Sequence, residues 1–340
     1  MKRKLLILLG VMIVLIITGA LIIKISAKQL DAVSTQGEDK LKVVTTFYPV
    51  YMIGINLAEG IDSVEVKSLT DLNTGCLHDY QLTTEDMKII SEADVMVING
   101  GGMEGFLKDV MANYPKLMII DASEGIEMLP SEEVHSDEVA STITESNAEG
   151  TEESKNITGW NAHVWLDPRL YIKQIENIAN GLNDFINTSN KLDPSITDLI
   201  NQNSQAYINK IEELDLSITQ LSEELKKASG GTGKEAVIFH DSFAYLANRV
   251  GITVAHAIPL DSDTSLSAGE ISEIVDEVKA GNIHYLFTEE QFSDSIASQI
   301  AAETDATVYI IDSAVTGDGS KDSYLEAMKK NVDTLENLIQ

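Results

Sequence analysis

His78, His163, His240 and Asp312 are the residues whose types could do concerted chemistry in this chain. Three imidazoles and one carboxylate make a complete donor set for a tetrahedral zinc ion. The chain has 6 histidines, too few for a metal-collecting tract, so their positions carry the information. No local motif such as H-E-x-x-H ties the four residues together; whether they converge depends on the fold. His163, in a loop between Trp160 and Trp165, could equally be a satisfied structural histidine. Cys76 stands two residues before His78, where a thiolate can join or replace a ligand for a soft metal, or simply be a small buried residue. Tyr80, Trp165, Glu289 and Cys76 are candidates to support the ligands from behind.

The elements that must position these residues are readable from pattern. Leu41–Phe47, Val64–Leu69, Val95–Ile98 and Leu117–Ile120 are β-branched or apolar runs. Helical stretches separate the first three, Tyr51–Leu57 and Thr84–Ala93, the latter with Thr84 as its cap. Asp167 is placed to cap a helix that starts at Pro168, where no N–H is needed, and continues through Ile172, Ile175, Ile178 and Leu182. A second group of strands is expected at Ala236–Phe239, Thr253–Ile258, His284–Thr288 and Thr307–Ile311, with helices at Phe243–Val250, Ser293–Thr304 and Tyr324–Gln340. Asp241 or Ser242 would cap the first of these helices. Strands alternating with helices at this spacing predict parallel α/β sheets, whose ligands lie beyond the carboxyl ends of the strands. His240 and Asp312 both fall at such ends. His256 and His284 are expected within strands, in core or surface roles.

Between the two groups, Pro194–Ala228 predicts one uninterrupted helix, apolar at mostly helical spacing and free of internal Pro or Gly. Such a helix spans roughly 50 Å, too long for one small domain and suited to joining two rigidly. Gly233-Lys234 invites a phosphate-loop reading, but Ala228 stands where the motif needs its first glycine and Glu235 where it needs Ser or Thr.

Composition narrows the function. A length of 340 residues suits two domains with a large core. A net charge of -30, with basic residues clustered only at the N-terminus, argues against nucleic acid. A single cysteine excludes an internal disulfide and a Cys-rich zinc module. Met-Lys-Arg-Lys followed by the uncharged run Leu5–Ile23 marks export, and the run is long enough to span a bilayer. Residues 1–27 are therefore expected to be a signal or uncleaved membrane anchor, with Ala27 as the alternative cleavage point, and residues 28–39 a polar tether. No cysteine follows the run, which excludes a lipid anchor there. Residues 131–156 hold 8 acidic residues, one lysine and only His135, the composition of a mobile acidic loop.

The ordered series Thr45-Thr-Phe-Tyr-Pro49, His78-Asp-Tyr-Gln-Leu-Thr83, Asn161-Ala-His-Val-Trp-Leu-Asp-Pro168, Val237-Ile-Phe-His-Asp-Ser-Phe-Ala-Tyr245, Phe287-Thr-Glu-Glu290 and Ile310-Ile-Asp312 resembles the solute-binding proteins of zinc and manganese ABC importers. Each segment is weak alone; their order is specific. The resemblance implies two α/β lobes, each a mostly parallel sheet flanked by helices, joined by one long rigid helix, with the metal site between them. It implies boundaries near 40–192, 193–229 and 234–340. It further implies His78, His163, His240 and Asp312 as ligands, Zn²⁺ as cargo with Mn²⁺ as the alternative, and an ABC permease as partner on the extracytoplasmic face of the membrane. Manganese-type relatives carry a carboxylate where His240 stands, and a third imidazole suits zinc. The chain departs from the pattern in its missing lipid-anchor cysteine, its histidine-poor acidic loop and Cys76. Two other classes fit less of the sequence. One is a zinc hydrolase with Glu289 or Glu290 as base; the other is an adhesin whose metal only staples two lobes.

Overall fold

The β-branched runs do become parallel strands. In the computed structural model, which describes residues 40–131, 159–230, 234–258, 266–289 and 294–339, eight strands form two four-stranded sheets. The first holds β1 (Leu41–Thr45), β2 (Val64–Ser68), β3 (Val95–Ile98) and β4 (Met118–Asp121) in the order β2-β1-β3-β4. The second holds β5 (Lys234–Ile238), β6 (Ile252–Ala257), β7 (Tyr285–Thr288) and β8 (Thr307–Ile310) in the equivalent order β6-β5-β7-β8. All neighbours pair in parallel. The strand order reverses beside β1 in one sheet and β5 in the other, the point beyond whose carboxyl ends sheets of this kind bind ligands. The expected N-terminal anchor, tether and acidic loop from residue 132 lie outside the described residues, as do His135 and Glu290. Among the described residues no helix is long and apolar enough to cross a membrane.

Helices α1 (Tyr48–Leu57), α2 (Thr84–Glu92) and α3 (Leu107–Asn113) belong to the first sheet, and α4 (Pro168–Ser189) also packs against it. As expected, α4 begins at Pro168, and the Asp167 side chain accepts from the Arg169 amide at 2.9 Å. Helix α2 is capped by Thr83 rather than Thr84: Thr83 and Asp86 form a reciprocal capping box. The long helix α5 runs from Ile196 to Ala228 without a break. It packs on α4 and α1 and also on α6 (Phe243–Val250) and α9 (Ser323–Glu336), so both sheets' helices share one support. Helices α7 (Ala268–Gly281) and α8 (Asp294–Glu303) complete the second lobe.

Packing follows the strand period. Ala236 and Ile238 point into an apolar cluster that also contains Val43, Ile211, Trp165 and Leu338. Val237 and Phe239, the alternate residues of the same strand, join a smaller cluster with Ile274, Val278 and Ile300 on the other face. Polar bonds reinforce the seam between the lobes. Trp165 Nε1 donates to the Ser313 carbonyl at 2.8 Å, Tyr324 Oη to the Trp165 carbonyl at 2.6 Å, and Tyr171 stacks on Tyr324 at 4.0 Å.

Candidate metal centre

Each candidate ligand sits on a loop whose backbone is held from behind. His78 lies between β2 and α2. The end of that loop is fixed by Asp86 Oδ2, which accepts from the Thr83 amide at 2.7 Å and the Tyr80 hydroxyl at 2.8 Å. Tyr80 is thus a clamp on the start of α2, with its ring edge-on to Phe106, and its own hydroxyl pushed up to about 12 by burial and then by the Asp86 carboxylate. His163 opens a single 3₁₀ turn, Val164–Leu166, just before α4. His240 follows β5 by two residues, beside the point where the strand order reverses.

The three imidazoles converge. His78 Nε2 and His163 Nε2 are 3.4 Å apart, and the His163 and His240 rings have centroids 5.0 Å apart at 78°. His163 and His240 are 1 % and 6 % exposed. Trp165 is fully buried 5.2 Å from the His163 ring and edge-on to Phe47, forming an apolar backing for the imidazole. Trp160, the expected second aromatic flank, is exposed instead. Cys76 joins the group: its Sγ lies 3.5 Å from His163 Nε2. Among the described residues, Cys76, His163 and His240 form the one set of three potential metal-ligating atoms all within 4.8 Å of one another; His78 is outside that set and adjoins it through its 3.4 Å approach to His163 Nε2.

Hydrogen bonds decide which nitrogen each ring offers. Asn161 Oδ1 accepts from both the His163 amide at 3.0 Å and His163 Nδ1 at 2.9 Å, while Asn161 Nδ2 donates to the Asp241 carbonyl at 2.8 Å. The amide orientation is fixed by these three bonds, so Nδ1 of His163 carries its proton and Nε2 presents a lone pair. His240 Nδ1 accepts from the Ser242 amide at 3.2 Å and lies 3.6 Å from Glu289 Oε1. The neutral ring therefore holds its hydrogen on Nε2; ligation through Nε2 would need that hydrogen to move to Nδ1, toward Glu289, and the Ser242 amide bond to break. Burial, and secondarily the nearby His78, lower His240 to about 4, so the ring stays neutral and competent to ligate at ordinary pH. Burial raises Glu289 to about 7 against the hydrogen bonds from Ser313 and Ser242.

Asp312 ends up at the predicted place, just past β8, but outside the close set. Its Oδ1 accepts from the Ala314 amide at 2.8 Å, and its backbone is gripped twice by Asn331, at 2.7 Å each. Ala314 itself adopts a left-handed φ of 54°, unfavourable for a residue with a Cβ and held here by its neighbours. His256 and His284 stand apart from the cluster: His256 Nδ1 lies 3.4 Å from Glu277 Oε2, and His284 bonds Asn282 just before β7. The role of Asn161 is not evident from its residue type within the motif; its spacing two residues before a candidate ligand is the available signal. Asp241 and Ser242 are the caps expected for α6. Neither side chain caps it: Asp241 Oδ2 accepts from Ser131 Oγ across the lobes at 2.8 Å, and Ser242 Oγ donates to Glu289 Oε1 at 3.4 Å.

A family model described as ZnuA, the periplasmic component A of a zinc-uptake complex, matches residues 43–338. The chain belongs to the ZnuA family. It is 27 % identical to the high-affinity zinc uptake system protein ZnuA of Bacillus subtilis over 88 % of both chains. It is 30 % identical to the zinc-binding protein AdcA of Streptococcus pyogenes over 88 % of this chain and 56 % of that protein, so it spans little more than half of AdcA. Among solved structures, the Zn(II)-bound ZnuA-like domain of Streptococcus pneumoniae AdcA has a TM-score of 0.66 at 26 % identity, covering 88 % of this chain and 98 % of that one. The solute-binding protein FpvC of Pseudomonas aeruginosa, in complex with Ni²⁺, has a TM-score of 0.70 at 23 % identity, covering 88 % and 97 %. These structures share the two-lobe fold read from the strand and helix pattern.

Proposed function

We propose that this ZnuA-family chain captures Zn²⁺ outside the cytoplasm and passes it to an ABC-type import permease. His78, His163 and His240 hold the ion, and Asp312 is the carboxylate donor expected from the family resemblance. The observation that carries the reading is the convergence of three imidazoles from three separate chain segments, two of them almost fully buried and with both facing Nε2 atoms of His78 and His163 3.4 Å apart. Two neutral nitrogen ligands of a tetrahedral zinc ion, each about 2.05 Å from the metal, stand about 3.3 Å apart. Imidazole favours zinc over the harder manganese ion, which is the competing cargo. Residues 1–27 serve in this reading as signal or membrane anchor and residues 28–39 as tether. Residues 40–192 and 234–340 form the two lobes, with 193–229 as the helix between them.

The test is metal content. The segment from Lys40 onward, purified without added metal and then titrated, should bind one Zn²⁺ per chain, and His163→Ala should lose it. X-ray absorption showing six oxygen neighbours, or a stoichiometry near zero, would refute the reading.

A further inference from the structure

We propose that Cys76 is a thiolate ligand of this centre, so that the cargo is held by three imidazole nitrogens and one sulfur. The inference rests on the reading above for the three histidines and replaces Asp312 with Cys76 in the fourth position. Its basis is geometric. A tetrahedral zinc ion with a Zn–N distance of about 2.05 Å and a Zn–S distance of about 2.3 Å separates the nitrogen and sulfur by about 3.6 Å. Cys76 Sγ stands 3.5 Å from His163 Nε2, and the sulfur, His163 and His240 atoms all fall within 4.8 Å of one another. The sulfur therefore already sits at ligand spacing from the imidazole that the Asn161 bond has fixed with its lone pair outward. His78 and Asp312 both lie outside this set; His78 is kept as a ligand because its Nε2 stands 3.4 Å from His163 Nε2, whereas Asp312 has one carboxylate oxygen committed to the Ala314 amide.

The exchange balances simply. The His163 Nδ1 hydrogen is engaged by Asn161, so in the metal-free site the Cys76 S–H faces an accepting Nε2. When Zn²⁺ enters, the S–H bond breaks, an S–Zn bond forms, and the proton leaves to buffer; no electron changes hands. A sulfur donor makes the site softer than three imidazoles and a carboxylate, which raises selection for zinc over manganese without any change in the histidines.

Co²⁺ is the probe, because thiolate–cobalt coordination gives an intense near-ultraviolet charge-transfer band that imidazole and carboxylate do not. The Lys40-onward protein loaded with Co²⁺ should show the band. Cys76→Ser should keep Co²⁺ bound by the histidines but lose the band, and its zinc affinity should fall by roughly tenfold or more, at least the scale at which outer-shell partners act. Asp312→Ala should keep the band. Wild-type protein that binds Co²⁺ without the band, or Cys76→Ser with unaltered zinc affinity, would overturn the thiolate and leave the histidine reading standing. Failure of wild-type protein to bind zinc or cobalt at all would overturn both.

Discussion

Asn161 offers a sharp test of how the centre is preorganised. Its side chain makes three bonds: two hold the backbone and ring of His163, and one crosses to the Asp241 carbonyl in the other lobe. Asn161→Ala removes all three. The His163 ring then loses what fixes its tautomer and its direction, and the buried Asp241 carbonyl loses a donor. Outer-shell losses of this kind cost about 10–100-fold in metal affinity, or roughly 1.4–2.7 kcal/mol. Unfolding stability should drop by a further few kcal/mol at most, since net hydrogen bonds contribute about 1 kcal/mol each and an orphaned buried acceptor about 1–3. The assay is a competition titration of apoprotein with a zinc chelator, run beside urea unfolding of the metal-free form. Asn161→Asp separates the two roles, because it keeps an acceptor for His163 but turns an oxygen toward the Asp241 carbonyl. Its zinc affinity should lie closer to wild type than that of Asn161→Ala, while its stability falls at least as far. Equal zinc affinity in Asn161→Ala and wild type would refute the argument that this amide sets the His163 tautomer.

Two further outcomes follow from buried groups. His240→Glu replaces a nitrogen donor with a carboxylate beside Glu289, so the zinc-to-manganese affinity ratio should fall; an unchanged ratio in competition titrations would remove His240 from the ligand set. Glu104 is buried under Thr46 Oγ1 and the Asn99 and Gly100 amides, and burial raises it to about 7 from 4.5. Because the folded state holds this proton more tightly, the stability it contributes is present below about pH 4.5 and lost as pH rises to about 7, roughly 3 kcal/mol in all. Urea unfolding of apoprotein at about pH 5 and about pH 8 should show Glu104→Gln gaining about 2–3 kcal/mol on wild type across that interval; a gap independent of pH would contradict it.

Much of this fold was legible because its main signals are local. β-branched runs gave all eight strands within a residue or two, and the periodic apolar positions of Ile200, Ile211, Leu214, Ile218 and Leu225 gave α5. Helix α3 escaped because it is 7 residues long and buries only Val110, leaving no period to detect. Helix α7 escaped despite a readable signal, the Ser267–Glu270 capping box ahead of Ile271, Ile274, Val275 and Val278. The choice between Thr83 and Thr84 turned on Asp86 standing where a capping box more often has Glu or Gln. At the centre, residue type and strand ends pointed to the three histidines. What sequence could not give was which neighbours share their space, since the Ser131–Asp241 and Asn161–Asp241 bonds join residues 110 and 80 positions apart.

The division of the apolar interior into two clusters sorts the molecule by how readily its parts open. The larger cluster takes in β1, α5 and the inner residues of β5, so it melts only when everything does. The smaller one, beneath α7 and α8, is sealed off on the far face of the second sheet. Opening that layer exposes only its own apolar surface and leaves α5 and the seam closed, so its free-energy cost is a fraction of the global one. Amide protons of α7 and α8 should therefore exchange with solvent well ahead of those of α5. A ligand bound among His163 and His240 would slow the second group by stabilising the whole molecule while leaving the first almost as fast as before.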